Sequence, residues 1–175
     1  TSYSAYCQWV ITIFMVLFGI NFNAYYLILL KHFKDAFSME EVRAYLLIIL
    51  GAAAVIFVNI LHSCQSVFDA LTKAFFQVAS IITTTGYSTC DFDLWPTTSK
   101  FVLVLLMFIG ACAGSTGGGI KLSRALTVGK TIGKEFGSYV HPKSIKKIQM
   151  DGKPIEHEVV RSTNVYFMTY LALFA

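Results

Sequence analysis

The sequence predicts an all-α integral membrane fold: an outer helix, a re-entrant helix ending in an irregular loop, and a second helix broken by glycines. Composition is the first reason. Hydrophobic residues make up 55% of the chain and charged residues 14%, against about a quarter charged in soluble domains, and mean hydropathy is +0.62. The placement of charge is the second. Lys31, Lys34 and Arg43 flank one gap between apolar runs, and Lys121, Arg124, Lys130, Lys134, Lys143, Lys146, Lys147, Lys153 and Arg161 follow the glycine stretch. Only Lys73 and Lys100 lie on the other side. Basic residues accumulate on cytoplasmic loops, so residues 31–43 and 121–161 are expected inside and residues 90–100 outside. The third reason is a pair of stretches unsuited to a continuous helix, IITTTGYSTC and AGSTGGG.

Residues 6–30 are long enough to span, since about 20 apolar residues cross the hydrocarbon. Gly19, Asn21 and Asn23 interrupt them. Small and amide residues at such places pack or hydrogen-bond against neighbouring helices; the other reading makes them pore-facing polar groups, and packing is favoured. Residues 31–43 form a polar turn in which Ser38, followed by Glu40 and Glu41, marks a helix start with acids where the dipole favours them. Residues 44–61 then run apolar and outward, with Gly51, Ala52, Ala53 and Ala54 offering a smooth contact face. His62 at the outer end has no second ligand at metal spacing and reads as a solvated or capping residue.

Across residues 66–82, Val67, Leu71, Ala74, Phe75, Val78 and Ile82 repeat at helical spacing. Asp69 and Lys73 stand one turn apart, at ion-pair spacing. At ~1.5 Å per residue the helix is too short, and its start too polar, to cross a bilayer well. Were it a plain span, the basic segment 121–161 would fall outside, against the charge rule. A re-entrant helix follows. Its C-terminal end carries the negative half of the dipole toward Thr83–Gly86 and favours a cation there.

The outer loop, residues 90–100, carries Asp91 and Asp93 directly after the threonine stretch. They form either a solvated turn or an acidic vestibule that concentrates cations. Trp95 and Pro96 read as an interfacial anchor and a helix start. Residues 99–112 return inward and are too short to cross alone. Through Gly114, Ser115, Thr116, Gly117, Gly118 and Gly119 a helix loses about 1 kcal/mol per glycine, and residues 120–132 resume a helical pattern. The result is a broken helix with a flexible loop at the break, a device of membrane transport proteins. Residues 133–160 are polar, with HPKSIKK and DGKP marking turns, and residues 161–175 begin another spanning helix.

Irregular backbone at membrane depth is tolerated where it is buried in protein or lines a wet cavity. Carbonyls held in a row there can replace the water around a cation. Thr84-Thr85-Gly86-Tyr87 is similar to the TVGY core of a potassium-channel filter. With GACAGSTGGGIK it resembles one repeat of the Trk/Ktr/HKT superfamily of potassium transporters, closest to the bacterial Trk-type pore subunit, over essentially the whole chain. Ser88 departs from the pattern by standing where a potassium channel has its second filter glycine.

The resemblance implies a potassium-channel-like helix–pore-loop–helix repeat in a multi-pass protein of the bacterial inner membrane. Residues 1–35 are then the last helix of the preceding repeat. Residues 36–135 are one complete repeat, with outer helix 44–61, pore helix 66–82, filter 83–88 and broken inner helix 99–132. Residues 136–160 are a cytoplasmic linker and 161–175 the start of the next repeat. Potassium is the implied ion, bound by backbone carbonyls of Thr84, Thr85, Gly86 and Tyr87, with Gly114–Gly119 as a gate loop under the filter. The implied partners are membrane lipid, a second copy of the full-length pore protein, and a cytoplasmic ring of nucleotide-binding regulatory (TrkA-like) subunits. One filter strand forms one wall of a ring, so three more belong to the rest of a longer chain, of which this sequence is expected to be an internal piece.

Other classes fare worse. The basic segment fits topology better than a nucleic-acid interface. GxxxxGK[ST] nearly appears from Gly114 to Gly119, but Ile120 intrudes before Lys121 and no short strand precedes it. No Ser/His/Asp set or paired carboxylates suggest an enzyme. The four cysteines, Cys7, Cys64, Cys90 and Cys112, are scattered singly, without zinc or disulfide spacing. No signal peptide is apparent. Two alternatives stay open: a secondary transporter binding a small anionic solute at amides of residues 117–120, and a structural subunit without permeation.

Overall fold

The computed structural model describes residues 3–140 and 148–174. They fall into two compact units, Thr1–Lys121 and Leu122–Ala175.

The first unit opens with α1 (Ala5–Phe18), capped by Ser4, whose hydroxyl accepts from the Cys7 amide. Next comes α2 (Phe22–Leu29). Where the sequence reads as one span over residues 6–30, the chain bends by 90° between these helices. Gly19 closes α1, and Asn21 starts α2 by accepting from the Asn23 amide at 2.8 Å. The bend seats Gly19 against Tyr45 and Thr83: a Cβ there would lie 2.0 Å from Tyr45 Oη and 3.0 Å from Thr83 Cγ2. Tyr45 is wholly buried.

Residues 31–43 are more ordered than the expected turn, forming α3 (Phe33–Ser38) and then α4 (Glu40–Ile60). The outer helix therefore begins at Glu40 rather than at residue 44. Ser38 is the last residue of α3, and Met39 takes the cap position without a side-chain bond; the dipole's preference for Glu40 and Glu41 suffices. With the 3₁₀ turn Leu61–Ser63 it makes a 24-residue stretch, Glu40–Ser63. Among the described residues it is the one helix long and apolar enough to cross a membrane unbent.

Ser66 caps α5 (Val67–Ile82), its hydroxyl accepting from the Asp69 amide. At 16 residues α5 is ~24 Å long, short of a bilayer. The expected Asp69–Lys73 pair closes at 2.6 Å. A 3₁₀ turn, Phe92–Leu94, leads to α6 (Thr97–Phe108), with Pro96 at the cap. Trp95 is buried rather than standing out as an interfacial anchor. Helices α1, α4 and α6 all pack on α5, which explains why Ala70, Ala74, Val78, Ala79 and Ile82 along it are fully buried. The break after α6 is wider than the glycines alone suggest, and its ends meet in a parallel bridge between Ile109 and Ile120.

The second unit contains α7 (Leu122–Val140), a hairpin of β1 (Gln149–Met150) and β2 (Lys153–Pro154), and α8 (His157–Phe174). The inner helix was expected to end at residue 132 and the next helix to start at 161, so the polar linker is shorter than the sequence suggests. The DGKP turn is present as the hairpin loop, with Asp151 and Gly152 at positive φ. The HPKSIKK turn covers residues 141–147, which lie outside the described residues. Arg124 stacks on the Tyr166 ring at 4.1 Å.

Candidate functional site

The site grows out of the C-terminal end of α5. Thr83 stops the helix: its amide still bonds Ala79 O at 3.1 Å, while the amides of Thr85 and Gly86 turn back to Ser80 O at 2.9 and 3.2 Å. This hook requires left-handed backbone at Thr84 (φ 55) and Gly86 (φ 80). For a β-branched residue that conformation is an outlier worth about 1–3 kcal/mol of strain. Side-chain bonds hold it. Thr83 Oγ1 donates to Ala79 O and lies 2.7 Å from Thr85 Oγ1; Thr84 Oγ1 donates to Thr83 O at 2.7 Å.

The carbonyls divide sharply. Thr83 O accepts from Thr84, and Tyr87 O accepts from Ser80 Oγ at 2.5 Å. Between them, the carbonyls of Thr84, Thr85 and Gly86 accept no hydrogen bond from any described residue. All three residues are exposed on this chain. A peptide carbonyl seeks a partner, so three adjacent ones stand ready for water or a cation. Farther along, Ser88 Oγ donates to Cys90 O at 2.5 Å and to the buried Gln77 at 3.3 Å, tying the outer end of the loop to α5.

The second stretch, residues 110–119, is a flap closed at its neck by the Ile109–Ile120 bridge and the Gly110 amide on Ile120 O at 2.7 Å. It folds back on itself: a Cβ on Gly110 lies 2.2 Å from Gly118 O, and one on Gly117 lies 2.6 Å from Ala111 Cβ. Its tip reaches the hook, where the Gly118 amide donates to Thr84 Oγ1 at 2.7 Å. Lys121 Nζ donates to Gly117 O and Ser115 O. The other shoulder is held by α1, α2 and α4. Cys112 N bonds Gly19 O, Thr116 N bonds Phe18 O, and Phe22 N bonds Gly114 O. The Ala113 amide donates to Glu41 Oε1 at 2.6 Å.

The structure thus brings the residues expected as filter, Thr84, Thr85, Gly86 and Tyr87, into one hook, and sets Gly114–Gly119 against it. Asn21, read as an amide that packs or hydrogen-bonds against a neighbouring helix, bonds Glu41 Oε2 at 3.4 Å, and Gly110, Glu41 and Lys121 contribute in ways the sequence reading did not assign. Gly110 opens the GACAGSTGGGIK motif and could have been included with it. Glu41 is buried despite its position in the first turn of an apolar helix, and only the fold reveals its partner.

A family model described as TrkH, cation transport protein, matches residues 1–175. The Trk system potassium uptake protein TrkH of Vibrio parahaemolyticus is 33% identical over 167 residues, covering 93% of this chain and 34% of that protein. The Trk system potassium uptake protein TrkG of Escherichia coli is 32% identical over 159 residues, covering 90% of this chain and 33% of that protein. The chain therefore spans about a third of the length of these curated relatives. The crystal structure of the potassium transporter TrkH from Vibrio parahaemolyticus superposes with a TM-score of 0.91 at 32% identity, covering 98% of this chain and 38% of the other. With the whole chain matched and its fold shared, this protein belongs to the TrkH family of membrane cation transport proteins.

Proposed function

We propose that this chain contributes one wall of a potassium-conducting pore and the gate beside it, as one filter-bearing repeat of a Trk-type uptake protein. The observation that carries the proposal is the row of three unpartnered carbonyls at Thr84, Thr85 and Gly86, held between two engaged ones. Carbonyls in such a row substitute for an ion's hydration shell. They sit at the C-terminal end of α5, where the helix dipole adds negative potential. Tyr87 stands at the rim, its carbonyl direction set by Ser80. Three further strands, from the part of the protein outside this chain, complete the ring of ligands.

Below the hook, Gly114–Gly119 forms the gate. It is short of side chains, reaches Thr84 through Gly118, and is held by bonds that can exchange with water. Opening means drawing this flap aside, for passive or ion-coupled permeation. In this reading residues 36–135 are the complete repeat, the membrane supplies lipid contact, a second copy of the full-length protein makes the dimer, and a cytoplasmic nucleotide-binding ring controls the gate. The solute-carrier alternative is less well supported, because the Gly118 amide it needs already serves Thr84.

The test is potassium and sodium uptake by potassium-starved cells carrying the full-length protein, native against Gly86→Ser. Restored potassium uptake that the variant loses, or converts to sodium entry, supports the pore. Equal behaviour at equal expression removes Thr84–Tyr87 from the ion path.

A further inference from the structure

Glu41 is a carboxylate at 5% exposure, in the first turn of an apolar helix of spanning length. Burying such a group is costly unless its oxygens are satisfied. Among the groups that satisfy them, two are remote in sequence. Oε1 accepts from the Ala113 amide at 2.6 Å, 72 residues away, and Oε2 accepts from Asn21 Nδ2 at 3.4 Å. Asn21 is itself fixed, because its Oδ1 caps α2 at the Asn23 amide. Around this pair, Gly19 O takes the Cys112 amide and Gly114 O takes the Phe22 amide. The shoulder of the flap at residues 112–114 is therefore locked to the α1–α2 bend and to α4 at once. Its far half is held through Lys121 on two carbonyls, Gly118 on Thr84, and Thr116, whose amide and hydroxyl both donate to Phe18 O at 3.3 and 3.2 Å, so no carboxylate takes part in these bonds.

We propose that Glu41, oriented by Asn21, is the positioning residue of the gate: it pins the Ala113 shoulder so that movement is confined to residues 115–119. The inference rests on the gate reading above and assigns the fulcrum of that gate. A charge-assisted bond to a backbone amide is short and strong, and here the acceptor also gains from the positive end of the α4 dipole. Removing it takes away the shoulder's tie to α4, leaves only the backbone bonds to Gly19 and Phe22, and lets the flap leave the filter more often.

The experiment measures potassium and sodium flux through the full-length protein in proteoliposomes, at matched protein content. Glu41→Ala and Asn21→Asp are compared with native; the aspartate keeps the α2 cap but turns a donor into an acceptor facing Glu41. Both are expected to raise basal potassium flux about tenfold, the size that loss of one charge-assisted bond implies, with ion preference unchanged. The double variant Asn21→Asp with Glu41→Gln swaps donor and acceptor while leaving Gln Oε1 for Ala113, and is expected to return flux to the native level. Native flux in the single variants overturns the inference. So does a double variant as leaky as Asn21→Asp, or an altered ion preference. Deletion of residues 115–118 separates the two readings. If the deletion leaks and the Glu41 variants do not, the gate stands and the fulcrum falls; if the deletion behaves as native, both fall.

Discussion

Thr84 Oγ1 accepts a hydrogen bond from the Gly118 amide at 2.7 Å, joining the hook after the short helix to the tip of the glycine flap. The same hydroxyl donates to Thr83 O at 2.7 Å, so one oxygen both braces its own strained backbone and receives the flap. The shape of the hook and the position of the flap are thereby mechanically linked.

Replacing Thr84 with Val keeps the β-branch and removes both bonds. The expected cost is about 1–3 kcal/mol from an unpaired amide and an unbraced turn, read as a lower Tm of the full-length protein, together with raised basal potassium flux. Thr84→Ser retains the oxygen and should stay near native in flux. Equal effects of Val and Ser would remove the hydroxyl from the account.

Gly86 has φ 80, and among the described residues no atom beyond its two chain neighbours lies within 4 Å of where its Cβ would be. Substitution therefore meets backbone strain before it meets a neighbour on this chain. Asn visits the left-handed region more readily than Ala, and Val least of the three. Thermal stability should fall in the order Asn, Ala, Val, across about 1–2 kcal/mol, while all three lose potassium selectivity in flux assays. An order that instead follows side-chain size alone, Ala above Asn, would point to a steric origin.

Gly110→Ala drives a Cβ to 2.2 Å from Gly118 O. Backbone on both sides has to move, so the flap neck should open at a cost of about 1–3 kcal/mol. Protease accessibility of residues 110–119 in the full-length protein provides the check, with increased cleavage as the expected outcome.

The Ser66 cap and the Asp69–Lys73 pair both stabilise the start of α5, unequally. The ion pair is partly exposed, with side chains at 30% and 34%, and such pairs are worth only a few tenths of a kcal/mol, roughly 0.3–0.5. Loss of a Ser cap costs about 1 kcal/mol. Ser66→Ala should therefore lower Tm more than Lys73→Met, and neither should alter ion preference.

Much of this arrangement could be read before any coordinates. Residues 66–82 announced a helix through their apolar period, and contiguous glycines announced the break. The 90° bend at Gly19–Asn21 is not legible because a glycine and two amides without a proline fit a packed span as well as a break. The continuation of α7 to Val140 was missed because polar composition outweighed a signal that was present: Leu122, Ala125, Val128, Ile132 and Phe136 recur at helical spacing. At the site, residue types single out residues 84–87, but not which of their carbonyls accept no hydrogen bond from the described residues. That depends on Ser80 reaching Tyr87 O and Thr84 adopting φ 55, outcomes of packing around α5. Glu41 meets Ala113 across 72 residues, a separation no local pattern reports.

The clasp between Ile109 and Ile120 has a bearing on how such a device can change over time. Because the two ends of the flap are fastened to each other, residues can be gained or lost between them without tugging on α6. The entropic cost of lengthening a loop is small, about 0.6 kcal/mol per doubling. Reach and stiffness of the barrier can thus be retuned by short insertions, deletions or glycine exchanges, leaving the carbonyl row untouched. On the proposed reading, the flap's length is then free to vary while the Gly118 contact alone carries its coupling to Thr84.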